Sequence, residues 1–341
     1  MITIDGSMGE GGGQILRSSL ALSLLTGSAF RIERIRAGRA RPGLMRQHLV
    51  ALSAAAQVGN AEVSGDELGS LSVTFRPRMI RGGNFTFSTG GAGSTTLVFQ
   101  TILLPLVLGT EEPSRIAFEG GTHNPMAPPF EFLETTFLPL VRKMGVVVHA
   151  TLEHPGFYPA GGGSWSASIH PQKELGRFEL LHRGEIFRTH AVAHVSLIPP
   201  SIGLRETAEV ARLLAWDDPS ATAIHEVKDP KGPGNALQVF VESEHVTEVI
   251  TGFGERGVRA EAVAKAVAEE TKRYLATDVP VGEHLADQLL LPLALAKGGT
   301  FRTLGLSMHT KTQIEILKLF LDVKVNVIQE EADVVRITVD S

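Results

Sequence analysis

A small set of polar residues stands beside glycine loops and apolar runs, and their types suit phosphate chemistry. Glu10, Gln14 and Arg17 lie in and just after Gly9-Glu10-Gly11-Gly12-Gly13. Glycines let backbone N–H groups approach a ligand closely, and the dipole of a following helix favours negative charge. Glu10 would repel a bare phosphate, so it fits better with a divalent metal ion between the carboxylate and the phosphates. Gln100 and Asp287 lie in two later apolar runs, and Arg36, Arg39, Gln47 and His309 lie in or after the turns that follow such runs. Arginine offers phosphate oxygens a rigid donor fork. Histidine can act as a base or as a nucleophile that carries a covalent intermediate. Each residue also has a plainer reading. The glycine spacing matches neither the Rossmann nor the Walker pattern, and a strand-to-helix turn needs no ligand. Arg36 and Arg39 can be solvated turn charges, Asp287 can cap or line a helix, and His309 can be structural.

Positioning these residues is the task of elements that repeat. The chain opens with alternating Met1-Ile2-Thr3-Ile4-Asp5-Gly6, a strand, and then a largely buried helix over 15–25 stopped by Gly27. Gly90-Gly91-Ala92-Gly93 and Gly282-Glu283 introduce similar apolar helices. From Arg17 to Arg39, Gln100 to Thr122 and Gln288 to Thr310 the interval is 22 positions each time. A second helix is predicted after each turn, over 44–57, 130–144 and 313–320, with Pro42 and Pro128-Pro129 suited to first-turn positions. Strands over 61–63 and 72–75, 146–152 and 164–169, and 323–329 and 334–339 close the units. The expected architecture is α+β, three units each laying two helices on a four-stranded sheet.

The third unit is interrupted. Phe85 precedes Gln100 by 15 positions, whereas the equivalent Phe178 precedes Gln288 by 110. An inserted α/β domain is therefore expected over 185–280, leaving 1–184 and 281–341 as the large domain. His190 and His194 sit four apart in a predicted strand of the insertion, and with no third ligand evident they read as structural.

Composition bounds the rest. Hydrophobic residues make up 43% and charged residues 20%, as in ordinary globular chains. The net charge of −5 does not announce nucleic acid, so any RNA site must be a local basic patch such as the six arginines between Arg31 and Arg46. The absence of cysteine excludes a thiolate nucleophile, cysteine-bound zinc and a disulfide-linked dimer, and suits a reducing cytosol. No signal peptide is expected, and the apolar stretch 101–109 is too short to span a bilayer.

Taken in order, the motifs resemble RNA 3′-terminal phosphate cyclases over essentially the whole chain. They are Asp5-Gly6 with Gly9 to Arg17, Ile35-Arg36-Ala37-Gly38-Arg39 with Pro42-Gly43-Leu44 and Arg46-Gln47-His48-Leu49, Gly120-Gly121-Thr122 with Asn124-Pro125 and Ala127-Pro128-Pro129, Gly156 to Gly163, Leu285-Ala286-Asp287-Gln288, and His309-Thr310. The resemblance implies three repeats like the C-terminal domain of translation initiation factor three, with a smaller inserted domain. It implies a cytoplasmic enzyme that uses ATP and a divalent metal, Mg²⁺ or Mn²⁺, to convert RNA 3′-phosphate ends to 2′,3′-cyclic phosphates. In that chemistry a histidine takes AMP from ATP, passes it to the RNA phosphate, and the vicinal 2′-OH expels it. His309 matches the nucleophile and Glu10 the metal ligand. Gln14, Arg17, Arg36, Arg39 and Gln47 match the phosphate and RNA site. Gln100, Pro128 and the run His284, Leu285, Ala286, Asp287 and Gln288 match the nucleotide pocket. Two departures stand out. His284 replaces the family's usual adenine-stacking tyrosine, and Pro155 replaces the basic residue before Gly156. The competing class is a non-catalytic RNA-binding ribosome-assembly factor of the same fold, which lacks the histidine that His309 supplies.

Overall fold

In the computed structural model, which describes residues 1–340, one strand order occurs three times. The first unit runs β1 (Ile2–Asp5), α1 (Gly13–Thr26), β2 (Phe30–Glu33), α2 (Arg46–Val58), β3 (Glu62–Ser64) and β4 (Val73–Arg76). Its sheet has the order β1-β2-β4-β3, with β1 parallel to β2 and the other pairs antiparallel. The second unit runs β5 (Gly83–Ser88), α3 (Thr95–Leu108), β6 (Ser114–Gly120), a π-helical turn (Phe132–Phe137) continuous with α4 (Leu138–Lys143), β7 (Val147–His154) and β8 (Gly163–His170). The order β5-β6-β8-β7 and its directions repeat the first.

The third unit begins with β9 (Phe178–Leu180) and resumes only at α7 (Glu283–Leu295), followed by β14 (Gly299–Leu304), α8 (Met308–Phe320), β15 (Lys324–Glu331) and β16 (Val334–Asp340). Between them lie β10 (Ile186–Ser196), α5 (Pro200–Leu214), β11 (Thr222–Glu226), β12 (Gly234–Ser243), β13 (Thr247–Phe253) and α6 (Ala260–Leu275), whose strands form their own sheet, β11-β10-β12-β13. Despite this interruption β9 pairs in parallel with β14, Phe178 against Gly299, so the third sheet has the same plan.

Arg183 stitches the two ends of the interruption together. Only 7% exposed, it donates to the carbonyls of Tyr274, Leu275, Thr277 and Val279, and its guanidinium lies 4.7 Å from the Tyr274 ring centroid. These carbonyls lie at the end of α6 and just beyond it, where a cation is favoured by the helix dipole.

The helices of the three units share one core. α1 and α3 are apolar almost all round because each is covered on several sides. Three sequence expectations need correction. α8 starts at Met308, capped by Ser307, whose Oγ accepts from Thr310 N at 3.1 Å, so His309 lies in a helix and not in the turn before it. α2 starts at Arg46, leaving Pro42 in the preceding loop. The predicted helix over 130–144 forms, but its middle is π-helical, with Phe132, Leu133, Thr136 and Phe137 all buried.

Trp165 of β8 joins this core to the second glycine loop. It stacks on Phe118 with centroids 4.3 Å apart and donates from Nε1 to Thr95 Oγ1 at 2.8 Å, and Thr95 Oγ1 in turn donates to Gly121 O at 2.8 Å. Trp165→Ala should therefore cost about 3–5 kcal/mol in urea unfolding. Trp165→Phe, which keeps most of the ring contact, should cost clearly less. Equal losses would show that the packed ring contributes nothing beyond the indole hydrogen bond.

Candidate active site

The candidate site forms where α1, α7 and α8 begin. Ser18 Oγ of α1 donates to Gln313 Oε1 of α8 at 2.6 Å in the buried seam between them. One residue earlier on α8, Thr312 Oγ1 accepts from Glu10 N at 2.9 Å and donates to Met308 O at 2.7 Å. The glycine loop depends on this contact. Gly9 has φ +56, and a Cβ there would fall 2.1 Å from Thr312 Oγ1. At Gly13 a Cβ would collide with His48 and the Arg17 guanidinium, so the loop lies tight against both.

Gln14 is the centre of the arrangement. Its Nε2 donates to Asp287 Oδ2 at 2.7 Å, and its Oε1 lies 3.0 Å from His309 Nδ1. The amide donates on one side only, so His309 must donate from Nδ1. That leaves Nε2 of His309 with the lone pair. His309 is half-buried in the first turn of α8, where the helix dipole disfavours an imidazolium. Burial, reinforced by Arg17, His284 and Arg39 and opposed by Glu283, holds its pKa below the ordinary histidine value.

Around this chain the charges are arranged asymmetrically. Burial pushes Asp287 up to about 7, with Arg17 pulling it back. Burial likewise pushes Arg17 down to about 10, with Asp287 opposing, so the guanidinium stays charged at neutral pH. His48 accepts from Met45 N at 2.9 Å at the start of α2, and burial together with Arg17 and Arg36 pushes it down to about 3. It is therefore a neutral wall beside Arg17, and its preference for neutrality weakens the fold as pH drops from 6.5 toward 3.

The other predicted residues are placed as follows. Arg39 forms an ion pair with the Glu10 carboxylate and donates to Glu10 O at 3.4 Å. Arg36, at φ +54, donates to the carbonyls of Arg41 and Gly43 at 2.7 and 3.0 Å, so it braces its own loop. Gln47 is half-buried beside Gly93, where a Cβ would lie 3.2 Å from Gln47 Cβ. Gln100 donates to Gln288, which donates to His284 O at 2.7 Å. Pro128 is half-buried, its carbonyl accepting from Thr96 Oγ1 at 2.7 Å. His284 is exposed, with Nε2 3.5 Å from Glu270 Oε1. Leu285 and Ala286 are buried in the core, which leaves them only their backbone for a ligand. Thus Glu10, Gln14, Arg17, Arg39, Asp287 and His309 meet directly or through one neighbour. The structural roles of Thr312, Gln313 and His48 carried no signal in spacing or periodicity, although His48 stands within the Arg46–Leu49 motif.

Glu10 was also assigned a divalent metal. One carboxylate combined with substrate phosphates is the usual protein contribution to a Mg²⁺ site. Arg39 covers that carboxylate here as a cation would, so the donor set fits, provided Arg39 moves aside.

The fold defines a protein assembled from repeated four-stranded α+β units, one of them interrupted by a further sheet. Comparison with known proteins narrows this. The family model described as RNA 3'-terminal phosphate cyclase matches residues 8–327. A curated relative of that name from Koribacter versatilis is 49% identical over 97% of this chain and 93% of its own. Relatives with the same name from Ralstonia nicotianae and Salmonella paratyphi C are 47% and 45% identical, each over 99% of this chain and 97% of their own. The chain belongs to the RNA 3′-terminal phosphate cyclase family, and it is an enzyme. Among the described residues no helix is long and apolar enough to cross a membrane.

Both burial and neighbouring positive charge oppose protonation of His309, so its ring should titrate below 6.5. An NMR pH titration of the His309 ring in the ligand-free enzyme measures this directly. Arg17→Ala removes one of the charges and should raise the midpoint. A midpoint at or above 6.5 in the parent enzyme would end this account of the site.

Proposed function

We propose that the enzyme converts RNA 3′-phosphate ends to 2′,3′-cyclic phosphates in the cytoplasm at the expense of ATP, through AMP carried on His309. The single observation behind the assignment is the Asp287–Gln14–His309 chain, which frees Nε2 of a neutral imidazole at a helix N-terminus. Nε2 attacks the α-phosphorus of ATP, the P–N bond forms, and the bond to the β-phosphate oxygen breaks to release pyrophosphate. An oxygen of the RNA 3′-phosphate then attacks the same phosphorus and breaks the P–N bond, leaving an RNA 3′-adenylate. Finally the vicinal 2′-OH attacks the 3′-phosphate, loses its proton, and AMP departs.

Within this reading Arg17 and Arg39 face the phosphates and Arg36 holds the loop that presents Arg39. Gln47 stands at the RNA side. Gln100 and Gln288 brace the nucleotide pocket, with Pro128 and His284 on opposite faces of adenine and the Leu285–Ala286 backbone beneath. Imidazole stacks over less area than phenol, which weakens nucleotide binding more than it weakens chemistry. A Mg²⁺ or Mn²⁺ ion at Glu10 would offset phosphate charge once Arg39 yields. Residues 185–280 act as an inserted domain, a division supported by their separate sheet and by a hydrophobic cluster centred on it.

Two measurements test the assignment. With ATP labelled at the α-phosphate, the enzyme should retain label that is acid-labile and alkali-stable, as a phosphoramidate is. His309→Ala should fold yet lose both labelling and ATP-driven cyclisation by at least about a thousandfold, while still closing RNA supplied as the 3′-adenylate. Label that persists in His309→Ala, or that maps to a lysine, overturns the nucleophile. The metal is tested separately with Glu10→Gln, which should slow labelling most at limiting Mg²⁺ or Mn²⁺, because an amide is a poorer ligand for a hard cation. A rate that is unchanged at limiting metal removes Glu10 from that role.

A further inference from the structure

A second cluster of ligand-type side chains lies where the interrupting sheet meets the second unit. His123 and Glu131 come from the segment between β6 and the π-helical turn, and His194 comes from β10. One donor atom from each lies within 4.8 Å of the others. His123 is 1% exposed and His194 8%. The sequence offered His190 as the partner of His194, but His190 stacks flat on Phe240 with centroids 4.6 Å apart and lies 3.2 Å from Glu242. The partners of His194 are instead about 70 positions away.

Hydrogen bonding alone accounts poorly for this cluster. His123 Nε2 lies 2.7 Å from Glu131 Oε2, yet this buried nitrogen makes no hydrogen bond of acceptable geometry. The far side of each ring is held from outside. His123 Nδ1 lies 2.8 Å from Thr122 Oγ1, an oxygen that also accepts from Gly156 N at 2.8 Å. That hydroxyl can either accept from or donate to His123 Nδ1; in the tautomer where Nδ1 donates, Nε2 presents a lone pair toward Glu131. His194 Nδ1 lies 3.1 Å from His225 Nδ1. When His194 donates there its other nitrogen carries the lone pair, and the ring also hydrogen-bonds to the Gln238 side chain. Glu131 Oε2 also accepts from Gln238 Nε2 at 3.1 Å. Two imidazoles and a carboxylate that converge in one seam, each with an outer partner, are the arrangement a metal centre requires.

We propose that His123, Glu131 and His194 form a zinc-class metal site that fastens the interrupting sheet to the second unit. Two imidazole ligands select a borderline first-row ion such as Zn²⁺ over Mg²⁺, and three protein ligands leave one position for water. The donors lie within 4.8 Å of one another, against roughly 3–3.5 Å in a tetrahedral zinc site, so modest side-chain rotation would bring them onto one ion. Pro128 lies between His123 and Glu131, so the ion would also stiffen the loop that carries it.

Titration of the chelator-stripped, full-length enzyme with Co²⁺ and Zn²⁺ tests the site without reference to activity. One equivalent of Co²⁺ should produce the visible absorption of a four- or five-coordinate ion, displaced by one equivalent of Zn²⁺ and untouched by excess Mg²⁺. Zn²⁺ should raise the melting temperature of the parent enzyme. His123→Ala and His194→Gln should each lose the spectrum and the thermal shift, and His225→Ala should weaken Co²⁺ binding about 10- to 100-fold. Glu10→Gln and His309→Ala should bind as the parent does, which separates this site from the proposed active site. His194→Gln changes only the interrupting sheet and stays informative if His123→Ala does not fold. Absence of saturable binding, or binding that survives in His194→Gln, overturns the proposal.

Discussion

The amide of Gln14 can donate from one side and accept on the other, and everything near His309 depends on that asymmetry. Asp287 takes the donating side and so dictates that His309 meets an oxygen. An alanine at position 14 would leave the ring free to choose either tautomer, and a carboxylate there would favour the imidazolium. The constraint joins α1, α7 and α8, whose starts must stay within hydrogen-bonding distance. Packing supplies that precision. Ile15 and Leu16 of α1, Leu285 and Leu289 of α7, and Ile316 and Leu317 of α8 are all essentially inaccessible and share one core. A shift of one methylene in that core would be felt at Nε2.

The interruption of the third unit is compatible with that precision because its ends are held. Closing a long loop costs little more than closing a short one, provided the ends sit together in the native state. Here β9 is paired with β14 before the interruption, and Arg183 binds carbonyls at the end of α6 and just beyond it. Arg302 of β14, 9% exposed, adds ion pairs to Asp278 at 2.7 Å and to Glu330 at 2.8 Å, tying the exit segment to the third sheet. The segment leading into α7 is thereby fixed, and with it the position of Asp287.

Much of this was legible in the sequence for a physical reason. The interval from Arg17 to Arg39 recurs twice because each unit must cross from a buried helix, through a strand, to the segment that follows that strand, and that path has a set length. Alternation marked the closing strands to within two residues or so, most clearly where one face lies on the core, as in β8 and β16. The start of α8 was missed because Met308, His309 and Thr310 carry no apolar period. Its only signal was Ser307 placed to cap Thr310 N. The ion pair of Glu10 with Arg39 and the bracing of a loop by Arg36 were invisible, since side-chain partners depend on rotamers and not on spacing. The His123–Glu131–His194 cluster was hidden more deeply. It requires two sheets to dock, and no periodicity encodes where one sheet meets another.

The electrostatics of the two clusters explain why they are built differently. Around His309, half-buried Arg17 supplies fixed positive charge against Asp287, which is pushed to the edge of ionisation, while Arg39 and Glu10 pair with each other. Such a site is unfavourable when filled only by water and becomes favourable when a polyanion enters, because buried charge gains most from an opposite charge in a dry environment. The excess cation is therefore consistent with binding triphosphate and phosphate ends, and the neutral imidazole is consistent with attack on phosphorus without having to lose a proton first. At His123 and His194 two imidazoles converge on the carboxylate of Glu131. In the tautomers that turn both lone pairs toward the carboxylate these donors repel one another, and a small cation is the species that reverses the sign of that cost.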